Sequence, residues 1–208
     1  MTVAEGRRRE LVRQAFFLEY VTLAWMVIEA AVAIGAGLAA RSITLLAFGI
    51  DSVIELTSAA VLIWRLSIEL RHGQSFGESA ERVARRIGAV LLFALAAYVV
   101  AAAGWSLLTR QGATFSWPGL FISIAAIPVM WVLSRRKLRL ADALGSRALR
   151  TDAVESITCG WLSIVVVIGL LAQLTLATWW VDPVTSLAIV WLLVKEGWEA
   201  LKGDDCSE

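Results

Sequence analysis

Six long runs of apolar residues, separated by short polar segments, set the pattern of this chain. A helix that crosses a bilayer needs ~20 mostly apolar residues, and each run is close to that length or exceeds it. The runs do not alternate apolar and polar residues, as the strands of a membrane β-barrel do. Backbone polar groups must be paired in hydrocarbon, so each run should be helical. The pattern predicts transmembrane helices over 15–39, 43–67, 84–109, 117–134, 150–177 and 181–201.

Composition agrees with a chain that lies mostly in the membrane. Hydrophobic residues make up 59% of its 208 residues, whereas soluble domains have ~45–50%. The predicted spans leave little sequence for a soluble domain. We therefore expect an all-α integral membrane protein whose six-helix bundle covers 15–202, with a cytoplasmic segment at 1–14 and a short acidic cytoplasmic tail at 203–208.

Basic residues are divided unequally between the two sides of the predicted bundle. Of the 19 Lys and Arg residues, 17 fall on the side that holds both termini, and only Arg41 and Arg110 fall on the other. The positive-inside rule then predicts cytoplasmic termini in a multi-pass protein of the plasma membrane. The net charge of +1 gives no indication of a nucleic-acid partner, and no nucleophile–base pair or cofactor motif indicates an enzyme.

Five of the acidic residues in the predicted spans are singled out as candidates for function. An ionised carboxylate at the bilayer centre costs at least ~2.5–3.5 kcal/mol, so such residues are candidates for function. The sequence places no Lys or Arg in the same parts of the spans. Acids without basic partners need protons, a cation or both. The five residues are Glu29, Asp51, Glu55, Asp152 and Glu155.

Spacing brings some of these side chains onto shared helix faces. Asp51 and Glu55 are four residues apart, as are Glu155 and Cys159, and Asp152 lies on nearly the same face as Cys159. A divalent cation would remove the repulsion between Asp51 and Glu55, and carboxylates with a thiolate suit a borderline ion such as Zn²⁺. Counting from the span ends puts Glu29 and Asp51 at similar depths, but it leaves the depth of Cys159 open.

Each candidate also has a simpler interpretation. Asp51 and Glu55 can have structural hydrogen-bonding roles, and Glu155 can reach the interface. Cys159 can act as a small hydrophobe. Glu29 can be a protonated acid bonded to a neighbouring helix.

Two acidic positions nearer the membrane surface are interpreted differently. Asp152 fits an entrance residue better than a metal ligand, and Glu19 fits the membrane interface. The tail at 204–206 (DDC) could catch metal ions, although an acidic end without fixed structure is the simpler interpretation.

Four segments, in order along the chain, are similar to motifs of one known family. Residues 42–55 (SITLLAFGIDSVIE) resemble the second-helix signature of the cation diffusion facilitators, in which a Ser begins the helix and two metal-binding residues follow at a spacing of four. Residues 75–78 (SFGE) resemble the family's short loop after that helix. Residues 149–159 (LRTDAVESITC) resemble its fifth-helix motif, and residues 181–183 (VDP) resemble the turn into its sixth helix.

The resemblance implies a transporter of six helices, usually a homodimer, that exports Zn²⁺ or a similar ion against inward proton movement. It implies no permanent cofactor and a tetrahedral site between the second and fifth helices. Carried over by position, the ligands are Asp51, Glu55, Glu155 and Cys159.

The sequence departs from the family pattern in three respects. Glu155 and Cys159 stand where the family has His and Asp, and Glu29 is additional. The chain ends soon after the sixth span, so we expect a short branch without the usual cytoplasmic C-terminal domain.

Two other functions remain open at this stage. Buried acids with nearby Trp residues would also suit a proton-coupled exporter of small organic cations. A membrane assembly protein that does not transport could use the same fold.

Overall fold

The computed structural model describes residues 3–72 and 78–202, and the elements found there are six α-helices. Residues 75–77 of the loop motif at 75–78, and the acidic tail at 203–208, lie outside the described residues. The helices are α1 (Val3–Ala40), α2 (Ile43–His72), α3 (Glu78–Thr109), α4 (Trp117–Leu144), α5 (Arg147–Leu176) and α6 (Val181–Lys202).

The predicted all-α membrane bundle is confirmed. Within the described part of the chain, α1 to α5 each contain a segment long and apolar enough to cross a membrane. The sixth helix has 22 residues, or about 33 Å at 1.5 Å per residue, which also matches the bilayer core. Its second half is more polar because it contains Lys195, Glu196, Glu199 and Lys202.

The fourth helix continues well beyond its predicted end. The prediction stopped this span at residue 134, where a cluster of basic residues begins, but α4 extends to Leu144. Lys and Arg are good helix formers, so a basic cluster does not end a helix. The helix ends instead at Gly145, whose φ of 64° is the left-handed conformation that glycine tolerates. Ser146 then caps the first turn of α5.

Glycines allow close contact between helices. Helices α1 and α2 run antiparallel, and Gly37 faces Leu46 while Gly49 faces Ile34. Small residues let helix backbones approach closely in membranes, where packing replaces the hydrophobic drive. Each helix also contributes to one apolar core, for example through Met26, Phe48, Val99, Met130, Leu162 and Leu193.

A substitution at Gly49 tests this packing. A Cβ at this position would lie 2.7 Å from Ile34 Cγ1 and 2.9 Å from the Ile34 backbone nitrogen, so the helices must move apart. We expect Gly49→Ala to lower the free energy of unfolding by ~1–3 kcal/mol, as overpacking does. Gly35→Ala is the control because no atom lies within 4 Å of its added Cβ. Equal thermal unfolding of the two variants in detergent would contradict the prediction.

Helices α2 and α6 start together and run parallel. The Asp182 carboxylate, at the start of α6, accepts hydrogen bonds from Ser42 Oγ at 2.5 Å and from the Ile43 backbone nitrogen at 2.8 Å. Thr44 Oγ1 donates to the Asp182 carbonyl oxygen at 3.0 Å, and the Leu45 nitrogen donates to Ser42 Oγ at 3.1 Å. Asp182 thus satisfies a donor at the first turn of α2, which would otherwise be left unpaired. The two helices are therefore fixed in register at this end of the bundle, called below the Ser42 end.

Candidate metal centre

Two carboxylates and a thiol meet in the interior of the bundle. Asp51 and Glu55 lie on one face of α2, and Cys159 faces them from α5. Each offers one potential ligand atom, and these three atoms all lie within 4.8 Å of one another. All three side chains are buried. We call this group the acid–thiol triad.

The carboxylates of the triad lack hydrogen-bond partners. Both oxygens of Asp51 and both oxygens of Glu55 are buried and accept no hydrogen bond from any described residue. Burying a polar group without a partner is costly, and burying a charge without one costs far more. A cation among these four oxygens would compensate them, as would protons. The arrangement is therefore chemically suited to hold positive charge.

Glu29 adjoins the triad but has partners of its own. Its carboxylate accepts hydrogen bonds from Trp25 Nε1 and from Ser52 Oγ of α2, each at 2.7 Å. The Cys159 thiol lies 3.5 Å from Glu29 Oε1. This is the contact with a neighbouring helix that the sequence left open as an alternative to metal binding. Because Ser52 follows Asp51, the contact also agrees with the similar depths expected for Glu29 and Asp51.

Glu155 lies beside the triad and outside it. It is one helical turn before Cys159 on α5 and is half-buried. Asp152, Lys137 and Asp51 are all within electrostatic range of it. Its predicted place in the ligand set stays a prediction.

The expectation that no basic residue approaches the buried acids is wrong for Asp152. Lys137 of α4 is fully buried and donates hydrogen bonds to Asp152 Oδ2 and, at 3.2 Å, to Glu19 Oε2. Its Nζ also lies 3.5 Å from Ser156 Oγ. Glu19 is fully buried in this ion cluster, so it does not extend into solvent. Asp152, which the sequence offers as an entrance residue or a possible metal ligand, is bound to this lysine.

A periodic pattern in α4 could have revealed Lys137. Residues 126, 130, 133, 137 and 141 follow helical spacing and all five are buried. The error came from ending the span at residue 134, which placed Lys137 in a solvated connection.

Glu196 of α6 is a buried acid that the sequence reasoning missed. Its side chain is 8% exposed, and its Oε2 has no hydrogen-bond partner among the described residues. Charged residues lie on both sides of it in the sequence, which is typical of a helix end at the membrane interface. Two of them, Lys195 and Glu199, are exposed and form an ion pair at 3.8 Å. The helical spacing of Asp182, Ser186, Ile189, Leu193 and Glu196, all buried, is the signal that indicates an inward position.

Comparison with known proteins places this architecture in a family. The cation efflux transmembrane domain matches residues 20–203. The uncharacterized transporter sll1263 of Synechocystis sp. is 30% identical over 165 residues, which cover 75% of this chain and 52% of that protein. The manganese efflux system protein MneS of Bacillus subtilis is 25% identical over 187 residues, which cover 88% of this chain and 64% of MneS.

The chain spans between half and two thirds of the length of these relatives. The domain match, in contrast, includes every helix from the middle of α1 onward. The motifs of α2 and α5 agree with this match. This multi-pass membrane protein therefore belongs to the cation efflux family, also called the cation diffusion facilitators.

Proposed function

We propose that the protein transports a divalent cation across the plasma membrane and that the cation binds at the acid–thiol triad, with Glu155 as the fourth ligand. The observation that supports this most directly is the set of four buried oxygens on Asp51 and Glu55 without hydrogen-bond partners. Membership of the cation efflux family supports a cation as the substrate.

The donor set favours Zn²⁺ as the preferred ion. Thiolate ligands select soft or borderline ions, whereas Mn²⁺ is suited by oxygen ligands. MneS is named for manganese efflux, so Mn²⁺ is the natural competitor to test. Cys159 within 4.8 Å of both carboxylates distinguishes the triad from an oxygen-only site.

Proton exchange follows from the same ligands. A metal binds carboxylate and thiolate groups in their deprotonated forms, so metal and protons compete for the site. In alternating access, cytoplasmic metal binds in one state, and protons displace it on the other side. The protein then returns to its first state with the carboxylates of the site neutralised by protons. If protons move inward down their gradient, the exchanged metal leaves the cytoplasm, and the direction is export.

A flux assay tests this function. Proteoliposomes with an imposed pH gradient should accumulate Zn²⁺, and the flux should vanish when the gradient is dissipated. Zinc flux that is blocked by small organic cations would favour the organic-cation exporter. Absence of calorimetric Zn²⁺ and Mn²⁺ binding would favour the assembly protein.

Cys159→Ser tests the choice of ion. Replacing the thiol by a hydroxyl gives an oxygen-only site, so we expect Zn²⁺ flux to fall by about tenfold relative to Mn²⁺ flux. The measurement is competition between the two ions in the same vesicles. Cys206→Ser, which removes the other thiol of the chain, should leave the ratio unchanged. An unaltered ratio in Cys159→Ser would remove the thiol from the site.

A further inference from the structure

The buried carboxylate of Glu196 has no role in the proposed metal site. This carboxylate is buried on α6, outside the triad, and its Oε2 has no hydrogen-bond partner in the described parts of the chain. The lysine next to it, Lys195, points to the exposed side and pairs with Glu199. A buried carboxylate oxygen without a partner is costly unless a cation or a proton compensates it.

The register of the helices gives the depth of Glu196. Helices α2 and α6 are joined at the Ser42 end by the bonds from Ser42 and Ile43 to Asp182. Glu55 comes 13 residues after Ser42, and Glu196 comes 14 residues after Asp182. At 1.5 Å per residue both lie about 20 Å from this end. Parallel helices in register therefore place the two carboxylates at the same level of the bundle.

Helix α5 supplies a third carboxylate near this level. It runs antiparallel to α6, and Gly169 packs directly against Thr185. Glu196 comes 11 residues after Thr185, and the residue 11 before Gly169 is Thr158. Glu155 is three residues, or about 4.5 Å, further from the Ser42 end. Glu196 is also within electrostatic range of Glu155, and Glu55 is within range of both.

We propose that Glu55, Glu155 and Glu196 form a second cation position, displaced from the acid–thiol triad away from the Ser42 end, in the direction of Lys137. It rests on the proposed function, because Glu55 and Glu155 would be ligands of both positions. Three carboxylates from α2, α5 and α6 offer only oxygen ligands, which suit a hard divalent cation such as Mn²⁺ and hold Zn²⁺ less selectively. A cation would bind there first and then move to the thiolate-containing triad.

Lys137 is within electrostatic range of Glu155, but its hydrogen bonds go to other residues. Its Nζ is already bound to Glu19 and Asp152, and these two acids account for its charge. Among the residues whose side chains are described, no other buried Lys or Arg is found. The second position therefore needs an external cation or protons.

Metal stoichiometry of the purified full chain tests the second position. Equilibrium dialysis against saturating Mn²⁺ should give two ions per chain for the unaltered protein and one for Glu196→Gln. Glu199→Gln is the matched control, since it removes an exposed carboxylate three residues away on the same helix, and it should retain two. Two ions bound to Glu196→Gln, or one bound to the unaltered protein, would overturn the inference.

Alkylation of Cys159 separates this inference from the function on which it rests. Zinc should protect Cys159 in Glu196→Gln as well as in the unaltered protein, because the triad is intact. If zinc protects Cys159 but only one ion binds, the second position alone is wrong. If zinc protects Cys159 in neither protein, the proposed transport site is wrong too.

If Glu196→Gln does not fold, an experiment on the unaltered protein still tests the proposal. One equivalent of Mn²⁺ added to the unaltered protein should be bound, as its electron paramagnetic resonance signal reports, while Cys159 remains open to alkylation. Complete protection of Cys159 by that first equivalent would place Mn²⁺ at the triad and contradict the proposal.

Discussion

Asp51→Asn is expected to abolish metal-dependent transport while the helix bundle stays folded. The substitution preserves the size of the side chain but removes the charge that binds the cation. Substitutions in the outer shell of metal sites already cost 10–100-fold in affinity or activity. Loss of a directly binding carboxylate should therefore lower the flux by at least about 100-fold. Stability should change little, because neither Asp51 oxygen has a hydrogen bond to lose.

The measurement is Zn²⁺ uptake into proteoliposomes at equal protein content, with unfolding temperature as the test of folding. Asp142→Asn is the control, because Asp142 lies on the exposed part of α4, where its carboxylate pairs with Arg150 at 3.3 Å. This variant should transport at the normal rate. Normal uptake by Asp51→Asn would contradict both the proposed site and the proposed function.

Lys137→Met is expected to have the largest effect on stability. The substitution keeps the length of the side chain but leaves Glu19 and Asp152 buried without their common counter-charge. Breaking a buried ion pair by removing one partner typically costs 3–5 kcal/mol, so we expect a loss of ~3–5 kcal/mol. The ion cluster joins α1, α4 and α5, and its loss should loosen the bundle where these helices meet.

Unfolding in detergent, followed by temperature or denaturant, measures this loss. Lys195→Met is the matched control, because Lys195 is exposed and its pair with Glu199 should contribute less than ~1 kcal/mol. Adding Glu19→Gln and Asp152→Asn to Lys137→Met should restore most of the stability, since no buried charge is then left alone. If the single Lys137→Met variant is as stable as the control, the buried ion cluster does not stabilise the fold.

Several features of this protein are determined by local properties of the sequence. Apolar runs near 20 residues must form helices in a bilayer, which is why the six spans are predictable. The spacing of four puts Asp51 and Glu55 on one face whatever the helix packs against. Residues 181–183 predict a turn, but they do not predict that the Asp182 carboxylate caps the start of α2, 140 residues earlier in the sequence.

Tertiary structure decides the depth and the facing of each polar side chain. A charged residue near a helix end can extend to the interface or turn inward, and the sequence is the same in both cases. Lys137 and Glu196 turn inward, whereas Lys195 and Glu199 do not. Cys159 comes close to Asp51 and Glu55 because α5 packs antiparallel to α6, with Gly169 against Thr185. Rotation and register between helices depend on which small residues meet, so only the packed bundle fixes where the buried acids converge.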